Sequence, residues 1–116
     1  MDLIVYHNEG RTLRAYEVKR GFGSHDRGKK LQMLRDALCV QLLLKSYGRS
    51  RNLDPLSVSS HIIFYYDNCS IRPPIGIKGS QLDEHFGFPV REAVETVNQR
   101  FGESFRDYLW SMMAAP

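Results

Sequence analysis

Residues 2–7, DLIVYH, are rich in β-formers, and Asn8-Glu9-Gly10 reads as a turn. A second β-forming run, TLRAYEVK, follows at 12–19, so the two runs predict a hairpin. RGFGSHDRG at 20–28 ends the strand in a glycine-bearing loop. The period then becomes helical over 29–47. Leu31, Leu34, Leu38 and Leu42 run along one face, widened by Met33, Ala37, Val40 and Leu44. The second half of this helix is apolar nearly all round, which predicts deep burial. Gly48 is placed to cap its end.

A polar connection containing Pro55 covers 49–59, and SHIIFYY at 60–66 predicts a third strand. A strand covered on both faces has that continuous apolar character. Strand, helix and strand in this order predict a parallel crossover onto the hairpin. Residues 71–79, IRPPIGIKG, are irregular or a short edge strand, because two prolines exclude a central one. Ser80 is placed to cap a short helix through Phe86, ended by Gly87, and Pro89 fits the first turn of a last helix at about 90–112. Val90, Ala93, Val94, Val97, Phe101, Phe105, Tyr108 and Leu109 give that helix an apolar stripe, for packing in the core and partly against a second subunit. The expectation is a single α/β domain over 1–116. It has a small central mixed sheet, made of the N-terminal hairpin plus a crossover strand, flanked by helices. The core covers about 2–66 and a helical extension about 80–112.

A chain of 116 residues buries one core. No apolar run reaches the ~20 residues of a membrane helix, and the N-terminus lacks the pattern of a secretory signal, so a cytoplasmic, non-membrane protein is expected. Cys39 and Cys69 stand alone among apolar neighbours, which predicts buried, reduced thiols. Without a Cys-x-x-Cys or a paired-histidine motif, zinc has little support. The four histidines are scattered. The net charge of +3 conceals an asymmetry. Residues 19–51 carry nine Lys and Arg against Asp26 and Asp36, whereas residues 80–116 carry three Arg against six acids. A basic block beside an acidic one suits a polyanion-binding face, and equally an ordinary basic helix with its loops.

Chemistry gathers at Asp2, Glu17 and Lys19. Glu-x-Lys alone is a chance-level triplet in a chain with 13 acids. Placement gives it meaning. Glu17 and Lys19 are two apart on a strand and so share a face. With Glu9-Gly10 as a two-residue turn, residue i faces residue 19 − i, and Asp2 falls opposite Glu17. A one-residue slip would turn Asp2 to the other face. Two neighbouring carboxylates repel unless a cation sits between them, and hard oxygen donors suit Mg²⁺ or Mn²⁺. Such an ion polarises phosphoryl oxygens and yields a hydroxide nucleophile, with Lys19 placed to orient water or stabilise the transition state. The basic loop and helix would then hold a nucleic-acid backbone. Solvated hairpin charges, or a cross-strand ion pair, are the plain alternative.

Asp2, then Tyr16-Glu17-Val18-Lys19 on the far arm of a hairpin, then a loop, a basic amphipathic helix and an apolar strand, resembles the PD-(D/E)XK nuclease superfamily in a version short at the N-terminus. The resemblance covers about residues 2–66. It implies a restriction-endonuclease-like core, with Asp2, Glu17 and the Val18 carbonyl as ligands of Mg²⁺ or Mn²⁺ and Lys19 as the catalytic lysine. Exonuclease-like branches place a glutamine on the following helix. Gln32 is the candidate and Gln41 the second, although Asp36 stands where those branches often have a tyrosine. The implied function is a metal-dependent deoxyribonuclease. Arg20, Arg27, Lys29, Lys30 and Arg35 would contact DNA, and a homodimer would supply what a short N-terminus lacks. The alternatives are a nucleic-acid-binding or assembly module of the same fold with a weak or dead site, and an interaction protein in which the hairpin charges are incidental.

Overall fold

A computed structural model describes residues 2–21 and 26–114. Part of the glycine-bearing loop expected at 20–28 lies outside them. Strands β1 (Leu3–His7) and β2 (Thr12–Lys19) form the expected antiparallel hairpin. Pairing runs from His7↔Thr12 to Leu3↔Tyr16, so every pair sums to 19. The connection is a four-residue loop rather than a two-residue turn. Arg11 N–H returns to the Asn8 carbonyl at 3.3 Å, and Arg11 takes the left-handed conformation with φ 48°. Both loops are centred on Glu9-Gly10, which is why the register is unchanged.

Helix α1 (Arg27–Ser50) follows, opened by the Asp26 carboxylate accepting Lys29 N–H at 2.8 Å. It crosses to β3 (Ser57–Phe64), which lies parallel to β2 with Thr12↔Ser57 and Lys19↔Phe64 in register. The return is fastened to the hairpin loop by one residue. Arg11 accepts Leu56 N–H at 2.7 Å through its carbonyl, donates from Nε to the Asp54 carbonyl at 2.9 Å, and pairs with the Asp54 carboxylate. Strand β4 (Gly76–Lys78) adds a short parallel edge, giving a four-stranded mixed sheet in the order β1-β2-β3-β4. Gly76 is required there, since a Cβ would lie 1.9 Å from the Ile71 carbonyl oxygen. The chain is thus α/β with a small mixed sheet, and no helix among the described residues is long and apolar enough to cross a membrane.

Alternate residues of the strands face α1. Leu13, Ala15 and Leu44 form one buried cluster with Ile4, Tyr6, Val40, Leu53 and Val58 packed around it; Ala37, Ile62, Phe64 and Ile71 form another. The helix does not bury its second half all round. Only Ala37, Leu44 and Gly48 are buried, while Leu42 is 82% exposed and Leu31, Leu38 and Leu43 are exposed too. One sheet face can cover only one side of a helix, and in α1 that side carries Ala37, Leu44 and Gly48. Gly48 is therefore not a cap. The helix runs on to Ser50, and Gly48 sits against Leu13 and Pro55, where an added Cβ would meet Leu13 Cδ2 at 2.8 Å. Cys39 is exposed rather than buried, being two residues and about half a turn from Ala37, whereas Cys69 is half-buried.

Two compact units divide the chain, Met1–Ser80 and Gln81–Pro116. The second holds α2 (Leu82–Phe86), closed by Gly87 at φ 79°, and α3 (Val90–Met113), entered through Pro89. Ser80 is not the cap of α2, since it lies in a single 3₁₀ turn, Gly79–Gln81, that leads into it. No residue of α3 is buried.

Candidate functional site

The paired register ends at Leu3↔Tyr16, and Asp2 is held against β2 by two bonds beyond it. Past Leu3 the chain leaves regular pairing. Asp2 N–H donates to the Tyr16 carbonyl at 2.9 Å, and the Asp2 carboxylate accepts Val18 N–H at 2.8 Å. The two bonds straddle Glu17. On an extended strand the N–H and C=O of one residue point to the same side, so the Val18 carbonyl also opens toward Asp2. Backbone groups of the odd residues of β2 point the other way, as the bond from Tyr65 N–H to the Lys19 carbonyl at 3.0 Å illustrates.

Glu17 and Lys19 project from the face of β2 that bears Leu13 and Ala15. Lys19 Nζ lies 2.8 Å from Glu17 Oε1, and each side chain is just over a third exposed. The sequence-predicted pair is therefore brought together on one face, as an ion pair along one strand. Beside it, between sheet and helix, is a cavity of about 210 Å³ lined by Glu17, Asp36, Ala37, Val40 and Ser60 among others. Asp36 is the member of this wall that spacing alone did not reveal. It stands one turn after Gln32 and accepts Gln32 Nε2–H at 2.9 Å. Gln32 thus reaches the cavity through Asp36. Gln41 does something else: its Oε1 accepts Ser60 N–H at 3.2 Å and fills a gap in the strand's hydrogen bonding.

The five basic candidates do not form one stripe. At about 100° per residue, Lys29, Gln32, Asp36 and Val40 share a line that borders the cavity. Arg27 and Arg35 lie on the exposed side with Leu31, and Lys30 is half-buried on another side. The Arg20 guanidinium sits 5.6 Å from the centre of the Tyr65 ring, a cation–π placement away from Asp2.

On the opposite face of the sheet, His61 stacks on Tyr16 with ring centres 5.4 Å apart. His61 Nδ1 lies 2.7 Å from the Pro74 carbonyl and Nε2 lies 2.9 Å from Ser59 Oγ. A neutral ring fits both: Nδ1–H donates to the carbonyl and Nε2 accepts from the hydroxyl. Burial pushes the His61 pKa below its ordinary value; the Pro74 carbonyl opposes this and Arg14 adds to it. Burial pushes the Tyr16 phenol up, against the nearby Arg14.

Among the described residues, no group of three or more His, Cys, Asp or Glu side chains is placed to hold a metal ion. The hard donors nearby are the Glu17 and Asp36 carboxylates, which line the cavity, and the Asp2 carboxylate held on Val18 N–H at the strand edge. Comparison with protein-family models, with curated proteins and with solved structures found no match.

Proposed function

We propose that the chain is a metal-dependent nuclease that hydrolyses phosphodiester bonds, in DNA, through Asp2, Glu17 and Lys19 on a restriction-endonuclease-like core. The observation that carries this reading is the Asp2 carboxylate on Val18 N–H, which fixes one acid directly beside the Glu-x-Lys strand. Asp2, Glu17 and the Val18 carbonyl would hold Mg²⁺ or Mn²⁺. When bound, the ion supplies Lewis-acid charge for phosphodiester hydrolysis. Lys19 shares a face with Glu17 and has the reach to set its ammonium on a phosphate oxygen or orient a water. Gln32 holds Asp36 at the cavity wall, and Lys29 lies on the same line of α1, suited to a backbone phosphate. Arg20, Arg27, Lys30 and Arg35 contribute to a positive field rather than to one contact line.

Nicking of supercoiled plasmid with Mg²⁺ or Mn²⁺ tests the reading. Cleavage by the wild type, lost at least about a hundredfold in both Glu17→Ala and Lys19→Ala, is expected. Absence of metal-dependent cleavage, or cleavage that both variants retain, overturns it. A second reading is a binding module of the same fold with a weak or dead site. One observation favours it: Lys19 already neutralises Glu17 at 2.8 Å, which reduces the charge left to attract a cation. It is distinguished by salt-sensitive DNA binding without cleavage, weakened by changing Lys29, Lys30 and Arg35 but not Lys19.

A further inference from the structure

Helix α3 has 24 residues and none is buried. Its apolar side chains are nevertheless arranged. At about 100° per residue, Val90, Val94, Val97, Phe101, Phe105, Tyr108 and Met112 fall within roughly 80° of arc, with Leu109 at its margin, and Glu92, Glu103 and Arg106 lie well away from it. Val97, Phe101, Phe105, Tyr108 and Met112 are each more than half exposed. The stripe therefore leaves on the order of 700 Å² of side chain in water, close to the ~800 Å² each partner gives to a standard interface. A patch of that size is at the upper end of what a soluble monomer exposes.

The order of residues within the stripe indicates what covers it. Its N-terminal half carries small valines and its C-terminal half large rings. At the N-terminal end, Phe88, Val90, Ala93, Val94, Val97 and Asn98 line an apolar groove of about 260 Å³. Phe101 lies at the middle of the helix. An antiparallel pair of α3 helices with a two-fold axis at Phe101 sets residue i against residue 202 − i. Val90 then meets Met112, Val94 meets Tyr108 and Val97 meets Phe105, so these three large side chains each face a valine, and the two Phe101 rings face each other on the axis. Tyr108 and Met112 of one copy fall where the other copy has its groove. Phe101 and Phe105 are already stacked, with ring centres 6.0 Å apart and planes 8° from parallel.

We infer that the stripe of α3 is covered by a second copy of this chain, in an isologous antiparallel helix pair centred on Phe101. The same surface serves both partners, and small-against-large matching selects the antiparallel direction, because a parallel pair sets ring on ring at one end and leaves the groove empty at the other.

Sedimentation equilibrium of the full chain under reducing conditions, from about 1 to 100 μM, tests this. The expected mass rises to twice the chain's 13.4 kDa. Phe101→Glu, at a site 69% exposed, should leave the helical circular dichroism intact and raise the dimer dissociation constant at least about thirtyfold. Direction is read by oxidation in a Cys39→Ser/Cys69→Ser background. Phe101→Cys should crosslink to itself, and Val94→Cys should not. A 13.4 kDa monomer throughout overturns the proposal and gives the face to a different partner. A dimer indifferent to Phe101→Glu, or one crosslinked through Val94→Cys, overturns it as well.

Discussion

Asp2 and Val18 are joined side chain to backbone: the carboxylate accepts the amide hydrogen at 2.8 Å, one residue before β1 begins. With the neighbouring bond from Asp2 N–H to the Tyr16 carbonyl, it clasps the strand on both sides of Glu17. The acid is therefore positioned by the backbone next to its proposed co-ligand, independently of any ion.

Asp2→Asn separates position from charge. The amide oxygen can still accept Val18 N–H, so stability should change by less than about 1 kcal/mol. If the carboxylate also holds a cation, the rise in melting temperature that Mn²⁺ gives the wild type should be lost in this variant. Thermal unfolding with and without Mn²⁺ reads both effects, and an undiminished Mn²⁺ shift would remove Asp2 from the site.

His61 makes stability depend on acid. Its native pKa lies below the ordinary 6.5, chiefly through burial, so the unfolded chain takes up a proton before the folded one does. This contribution is complete above about pH 6.5 and declines as pH falls toward the native pKa. His61→Gln should flatten the slope of stability between pH 6.5 and 5, whatever it does to the absolute value. Urea unfolding across that range measures the slope, and an unchanged slope would assign the acid sensitivity to other groups.

The two leucines Leu42 and Leu44 should behave oppositely. Leu42 is 82% exposed and Leu44 is 2% exposed between Leu13 and Ala15. Leu42→Ser should alter stability by about 0.5 kcal/mol or less, and Leu44→Ala should cost about 2–5 kcal/mol. Equal costs would mean that something covers the outer side of α1 in solution.

Glycines give a further contrast. Gly76→Ala drives a Cβ into the Ile71 carbonyl and should cost about 3 kcal/mol or more. Gly102 has nothing within 4 Å of the corresponding position, and Gly102→Ala should stabilise α3 by up to about 1 kcal/mol. Denaturant midpoints of the two variants should move in opposite directions.

The hairpin, its register and the crossover were legible because each rests on local patterns: alternating residues, a turn, and a helix between two strands. The buried side of α1 was not. Its leucines occur on several sides, and periodicity alone ranks Leu31, Leu38 and Leu42 above Ala37 and Gly48. The sheet buries Leu44 together with the small Ala37 and Gly48, and the close approach at Gly48 appears only once Leu13 and Pro55 are in place. Asp36 was hidden for a similar reason. Its relation to Glu17 runs across the space between helix and sheet, not along the sequence. The basic residues form one block along the sequence, whereas 100° steps distribute them around the helix.

Arg11 has a consequence for the order of folding. Its bonds to Asp54 and Leu56 join residues 43 or more apart in sequence, yet Arg11 itself sits in a loop that a local hairpin completes in microseconds. The hairpin therefore offers a ready landing point before the slower closure that brings in β3. Removing the Arg11 guanidinium should slow refolding more than it speeds unfolding, because the interaction acts while the parallel seam is still being found.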